Sequence, residues 1–248
     1  MYRKLAMLAG VLCLAAIGLV VPARADIVVP GADGSDGAFN PTDPNTVIDL
    51  SLAPTGTWNG TNQSPGHGVY DPDKWAVVFR YSSVNIPSNV TVTFVNHPSR
   101  APVVWLVSGN VTIIGVISLN GQNGHPNGVG YYRSEPGPGG FRGGRGWIVG
   151  GGDGASSAGF GPGGTSFFSF SGCTLWPSGA SYGTLGGQGN NGTPAPLPTY
   201  GLPWLLPLLG GSGGGGAGFF SCPQYGSSSG GGAGGGAMMV ACALRSSS

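Results

Sequence analysis

Charge is what this chain has least of. Ten Lys and Arg and nine Asp and Glu make up 8% of its 248 residues, against about 25% in an ordinary globular domain. So thin a charge excludes the basic footprint of a nucleic-acid binder and leaves the surface to be wetted by backbone amides, Ser, Thr and Asn. Carboxylates are missing altogether between Asp73 and Glu135. General acid–base pairs, and the calcium sites of many polysaccharide-acting enzymes, are built from carboxylates, so no such site can be carried by that segment alone, although loops outside it could supply one. No C-x-x-C pair is present, which argues against zinc. No glycine cluster ends in the Gly-Lys-Ser/Thr of a phosphate loop. Gly210-Gly211-Ser212-Gly213-Gly214 resembles a nucleophile elbow only as low-complexity sequence, because no strand–turn–helix surrounds it. No segment after residue 25 has the three-four apolar spacing of an amphipathic helix.

What is present begins with an export signal. Arg3 and Lys4 precede an apolar stretch from Leu5 to Val21, Pro22 breaks it, and Ala23-Arg24-Ala25 offers small residues for cleavage after Ala25. A retained anchor is the alternative reading, since the stretch approaches bilayer length, but no basic stop-transfer cluster follows. Cys13 is no lipoprotein site, because Leu12 precedes it. Residues 1–25 are therefore expected to be a signal peptide and the mature protein to be secreted or on the cell surface, with no membrane association after cleavage. Residues 26–248 keep seven basic and nine acidic side chains, a net charge of −2. Three cysteines remain, Cys173, Cys222 and Cys242. An exported location permits disulfides, and Cys173 with Cys222 is the expected pair, because a crosslink there would restrain a very glycine-rich stretch. One thiol is left over.

Residues 26–121 read as β-structure. Ile48, Leu50 and Leu52 alternate with polar residues, and Trp75, Val77, Phe79 and Tyr81, then Val90, Val92 and Phe94, recur at the same two-residue spacing; period-two alternation marks half-buried strands. Val103-Val104-Trp105-Leu106-Val107 is continuously apolar and predicts a strand buried on both faces. Val111–Ile114 and Val116–Leu119 follow, with turn residues between all of these runs.

Residues 122–236 are dominated by glycine, of which the whole chain has 51, about three times average usage. There is no collagen period. Two states suit such a segment: a flexible coil, or extended polyproline-II-like runs lying side by side, where missing side chains let backbones approach. Aromatic patches such as Phe167–Phe170 and Trp204-Leu205-Leu206 favour order, because they need somewhere to pack. Residues 237–248 open with an apolar run, Ala237 to Leu244, that predicts a returning strand completing the sheet begun in the first half. The fold class expected is all-β, a β-solenoid or β-helix-like array with a long glycine-rich excursion, the alternative being a β-sandwich with glycine-rich loops.

The order of segments resembles a known type. Asn85-Ile86-Pro87-Ser88-Asn89-Val90-Thr91-Val92, then Gly109-Asn110-Val111-Thr112-Ile113-Ile114-Gly115-Val116-Ile117, then a glycine-rich excursion returning through Gly234-Gly235-Gly236-Ala237-Met238-Met239-Val240-Ala241 is similar to exported bacterial glycine-rich proteins of unknown function built on a β-helix-like scaffold. The resemblance implies a solenoid-type fold and no established activity. Such proteins usually continue with further strands, whereas this chain stops at Arg245-Ser246-Ser247-Ser248.

Candidate sites are few. Gly31-Ala32-Asp33-Gly34-Ser35-Asp36-Gly37 lacks the oxygen spacing and closing Glu of a calcium loop and reads as a pair of Asx turns; Asp71 and Asp73 read as turn residues before the Trp75 strand. His67, His97 and His125 each neighbour Gly or Pro, hence sit in turns, and only the fold could gather them around a metal. Phe141-Arg142-Gly143-Gly144-Arg145-Gly146-Trp147 resembles an RGG segment, but in an acidic exported chain the arginines are expected to lie on aromatics or carbonyls of the glycine-rich region. No catalytic, cofactor or metal residue is assigned. The expected function is a non-catalytic structural or adhesive protein of the envelope or matrix, with polysaccharide or envelope components as partners. A carbohydrate-binding module and a polysaccharide-acting enzyme are the alternatives. An open β-edge at the C-terminus invites self-association.

Overall fold

A computed structural model describes residues 28–53, 68–126, 132–146, 156–165, 177–189, 195–217 and 229–243. Residues 1–25, expected to be a signal peptide, the expected pair Cys173 and Cys222, and the Phe167–Phe170 patch lie outside the described residues. Among the described residues regular structure is almost wholly strand: β1 (Ala38–Phe39), β2 (Asn45–Asp49), β3 (Val69–Asp71), β4 (Ala76–Tyr81), β5 (Ser83–Ile86), β6 (Thr91–Val95), β7 (Val103–Val107), β8 (Val111–Ile113), β9 (Val116–Ile117) and β10 (Met238–Cys242). The protein is all-β. No helix among the described residues is long and apolar enough to cross a membrane.

The strands form three sheets, ordered β1-β5-β8, β2-β6-β9 and β10-β7-β4-β3. All pairings are parallel except β3 with β4. Consecutive strands therefore never pair across the tight turns between β4, β5 and β6. Each pairs instead with the strand three positions later, β4 with β7, β5 with β8 and β6 with β9. This departs from the antiparallel hairpins of a sandwich. Glycine fits the corners: a Cβ on Gly109 would meet the Ser82 carbonyl at 2.5 Å.

Alternate residues point between the sheets and make one core. Phe39, Ile48, Val77, Phe79, Tyr81, Val84, Ile86, Val92, Val103, Trp105 and Val107 are buried there. Trp105 stands edge-on to Phe39 and Tyr81, with ring centroids 5.2 and 5.4 Å away. Burial on both faces of β7 has a specific cause. Ala76, Val78, Val104 and Leu106 point outward into a second, smaller cluster, and Leu208 from the glycine-rich half covers it. One strand expected from alternation is shorter than its pattern. Asp49 ends β2 by accepting the Ser51 amide at 2.9 Å, so Leu50–Leu52 turn as a 3-10 helix and Leu50 still reaches the core.

The glycine-rich half contains no strand or helix among its described residues, yet its backbone hydrogen bonds recur every third residue. Gly230, Ala233 and Gly236 donate to the carbonyls of His125, Gln122 and Leu119, at 2.9, 3.0 and 2.7 Å. Gly231, Gly234 and Ala237 donate to Gly144, Phe141 and Pro138, at 2.8, 2.9 and 2.6 Å. The carbonyls of Gly232 and Gly235 accept from Gly214 and Gly211, at 2.9 and 2.8 Å. Residues 230–237 thus have three neighbouring segments, one for each side of a chain with three residues per turn, the repeat of polyproline II. Burial follows the same period: 231, 234 and 237 are buried, while 232 and 235 are exposed. Segment 211–217 is held likewise, Gly213 and Gly216 donating to Phe160 and Ser157. Of the two states open to this half, the side-by-side one is formed by its described residues 211–217 and 230–237. β10 leaves this bundle and joins β7 in register, Met238 opposite Val103 through Cys242 opposite Val107, so the returning run adds a strand to the sheet begun in the first half.

Candidate functional site

The described carboxylates are largely engaged in turns. Asp33 accepts the Ser35 amide at 3.0 Å, Asp43 the Asn45 amide at 2.9 Å, and Asp36 the Arg80 amide at 2.6 Å. Hydrogen bonds from Ser35 hold the Asp33 carboxyl below the usual carboxylate range. Asp71 accepts the amides of Asp73 and Lys74 and pairs with the Lys74 ammonium at 2.6 Å; the hydrogen bond from Lys74 lowers its pKa. Those of Asp33, Asp43 and Asp71 are local turn-closing arrangements, whereas Asp36 ties its loop to β4, 44 residues on. Among the described residues no three His, Cys, Asp or Glu side chains gather. His67 lies outside the described residues.

The densest polar cluster joins the two halves. His97, Pro98, Ser99 and Arg100 make a turn closed by the Arg100 amide on the His97 carbonyl at 2.8 Å. The His97 Nδ1 accepts the Ser99 amide at 3.1 Å and lies 2.7 Å from the Ser99 Oγ. An Nδ1 that accepts a backbone N–H carries no proton, so the ring is neutral with its proton on Nε2. His97 is buried against Tyr70, centroids 4.1 Å apart, and burial lowers its pKa. A Ser–His contact of this kind has a nucleophile's constituents without its geometry: Nδ1 is already engaged by the amide of the same turn, and among the described residues no carboxylate bonds the ring's Nε2.

Beside it Glu135 is held by two arginines, Arg100 Nε at 3.1 Å and the Arg142 guanidinium. Burial pushes the Glu135 carboxyl up, but the hydrogen bonds and charges of Arg142 and Arg100 outweigh it and the net pKa is lowered. Arg142 was expected on aromatics or carbonyls; it pairs with a carboxylate instead, because Glu135 is brought over it when the Gln122 amide donates to the Glu135 carbonyl at 2.8 Å. The aromatic partner falls to Arg133, 5.0 Å above the Phe160 ring. Asn96 Nδ2 donates to the Pro136 carbonyl at 2.7 Å and the Gly139 amide to that of Arg100 at 2.7 Å. The cluster is a seam stitching the β6–β7 turn to the bundle.

The seam makes stability pH-dependent. His97 is neutral in the fold with a pKa below its ordinary 6.5, so below that pH the unfolded chain binds a proton that the folded one resists, and stability falls. Glu135 titrates below its ordinary 4.5, so its contribution is complete above 4.5 and is lost as pH falls further. We expect the melting temperature to fall in two steps on acidification. His97→Gln should remove the upper step and Glu135→Gln should reduce the lower, to which Asp33 and Asp71 also contribute, each of the two changes being worth about 1 kcal/mol or less. Melting curves from pH 8 to pH 3 measure both.

The feature without a structural partner is apolar. From Asp153 to Arg245 the chain has no charged residue between, and within that stretch the loop 202–206 turns tightly, the Leu205 amide donating to the Leu202 carbonyl at 2.8 Å with Leu205 left-handed at φ 54°. Leu202, Trp204, Leu205 and Leu206 are 44%, 66%, 52% and 62% exposed. Behind the loop, Leu205, Leu208, Leu209, Tyr182 and Met238 line a groove of about 440 Å³. Trp204 was expected to find packing; the loop holds it out because Leu208 anchors its C-terminal end on the sheet. The uncharged run Leu-Pro-Trp-Leu-Leu-Pro-Leu-Leu was the sequence signal for it, since exposed apolar patches mark interaction sites.

No family model matches this chain, and no curated protein or solved structure is significantly similar to it.

Proposed function

We propose that this is an exported, non-catalytic structural or adhesive protein of the cell envelope or extracellular matrix, built as a short β-solenoid braced by a glycine bundle. The basic and apolar leader supports export, with cleavage after Ala25. The three-sheet order, with β4, β5, β6 and β7 each pairing three positions on, supports the solenoid. The single observation that carries the attachment role is the uncharged loop Leu202–Leu206, which turns four large apolar side chains into solvent. Such a patch gains from burial against a partner, by roughly 25 cal/mol for each Å² covered. Binding of the mature protein to isolated envelope or insoluble polysaccharide tests this reading. Trp204→Ser with Leu205→Ser should reduce binding at least tenfold without changing the melting temperature. Equal binding by that variant, or no binding by the parent, overturns it.

A carbohydrate-binding role is the second reading. Trp204 and Tyr132, 66% and 65% exposed, are rings of the kind that stack on sugars. A shift of tryptophan fluorescence with soluble oligosaccharides, lost in Trp204→Ser, would favour it over adhesion to envelope.

A further inference from the structure

The two ends of the strand array differ. At the first end, β3 runs antiparallel along β4 and closes that edge, and the layer of β1 and β2 carries Asp33, Asp36, Asp43 and Asp49. At the last end, β8, β9 and β10 are each paired on one side only among the described residues. No charged residue lies in 103–117 or 238–242. Ile113, Ile114 and Val116 are 42%, 68% and 53% exposed, and on β10 Met239 and Val240 are 39% and 37% exposed. Proteins guard free edges with charge, proline, or a covering strand. One end here is guarded and the other is bare.

We infer that the bare end is a docking surface for a second copy of this chain, with β10 pairing antiparallel to β10 of its partner about a twofold axis at Val240. The backbone supplies the argument. Ala237 and Ala243, flanking β10, bond to β7: the Ala237 carbonyl accepts from Val103 at 3.3 Å and the Ala243 amide donates to Val107 at 3.0 Å. By the two-residue alternation of a strand, the N–H and C=O groups of Met238, Val240 and Cys242 face away from β7. A twofold about Val240 sets Val240 against its own copy and Met238 against Cys242. Each is then a hydrogen-bonded antiparallel pair, and every outward group of the three residues is satisfied. The pairing is self-complementary, so it needs no other sequence. Head-to-tail growth is disfavoured, because β3 and the acidic first layer stand at the other end. The sheet β3-β4-β7-β10 would become continuous across the dimer. Met238 also lines the groove behind the Leu202–Leu206 loop, but the pairing uses the backbone edge of β10, and the inference does not rest on the attachment role.

The register gives a direct test. Opposed residues in such pairs have Cα atoms about 5.5 Å apart, within reach of a disulfide. Cys242 is free and exposed and would lie opposite Met238, not opposite its own copy. Met238→Cys should therefore form an inter-chain crosslink when diamide takes up the electrons and protons of the two thiols, and Met238→Cys with Cys242→Ser should not. In sedimentation equilibrium the mature protein is expected to dimerise reversibly. Val240→Pro removes an outward N–H that β7 does not use, which an edge strand tolerates, and Val240→Lys places a charge on the exposed edge; each should shift the protein to monomer with at least a tenfold weaker dimer. A protein monomeric at millimolar concentration overturns the inference. So does a dimer unaffected by Val240→Lys, or one that shows no Met238→Cys crosslink.

Discussion

Gly234→Ala is expected to destabilise the protein by about 3 kcal/mol or more, whereas Gly235→Ala, one residue along, should change stability by about 0.5 kcal/mol or less. Gly234 sits on the buried side of its three-residue turn. A methyl there would overlap the Gly211 carbonyl, with the Ser212 amide nitrogen behind it at 3.0 Å. Both obstacles are backbone and cannot rotate aside, so the segments must separate and lose the hydrogen bonds that Gly234 and Gly211 make. Gly235 faces outward, and the nearest atom to its added methyl is the Leu119 carbonyl oxygen at 3.7 Å, an ordinary contact. Gly232 has the same open setting at 3.8 Å, and Gly231 the same closed one as Gly234. Urea denaturation of the four alanine variants should thus alternate with a period of three. A flexible coil would tolerate all four alike.

Trp105→Ala is the second large effect, expected to cost about 3–5 kcal/mol. Trp105 is fully buried on β7, between β4 and β10, and its ring meets Phe39 and Tyr81 edge-on. Phe39 comes from β1 and Tyr81 from β4, so one side chain joins strands of two sheets. Its removal leaves a cavity that parallel strands fixed on both sides cannot collapse to fill. Trp204→Ala is the matched control, because that ring is 66% exposed and its loss should leave the melting temperature nearly unchanged. Thermal unfolding of the two variants side by side distinguishes a tryptophan that builds the fold from one available to a partner.

How much of this was legible in the sequence depends on the kind of signal. Period-two alternation located Val77, Phe79, Tyr81 and Val92 on inward faces, because a strand turns its side chains strictly in and out. The solid run Val103–Val107 signalled burial on both faces, although only the structure shows that Leu208, a hundred residues later, supplies the second cover. Leu50 and Leu52 continued the alternation on paper; the Asp49 carboxylate took the Ser51 amide and turned the chain. The bundle was legible only as one of two possibilities. In a run such as Gly230–Gly236, with only Ala233 differing, nothing distinguishes the buried third position from the open one, since the residue that fits the crowded site also occupies the uncrowded one. The seam was less visible still. His97 could be placed in a turn from Pro98, and its bond to Ser99 stays within that turn, but the bridge that Glu135 makes to Arg100 depends on segments 35 residues apart in sequence meeting through backbone pairing. The exposed loop was written plainly as an uncharged apolar run, and expecting those side chains to be buried concealed it.

Amide hydrogen exchange by NMR on residues 26–248 tests the central claim most directly, that the described glycine-rich segments form a hydrogen-bonded bundle with a three-residue period. The amides of Gly230, Gly231, Ala233, Gly234 and Gly236 donate to neighbouring segments and should be protected well above the random-coil rate. Those of Gly232 and Gly235, on the exposed side, should exchange quickly. Uniform fast exchange across residues 230–236 would contradict the account and return this half to a flexible coil.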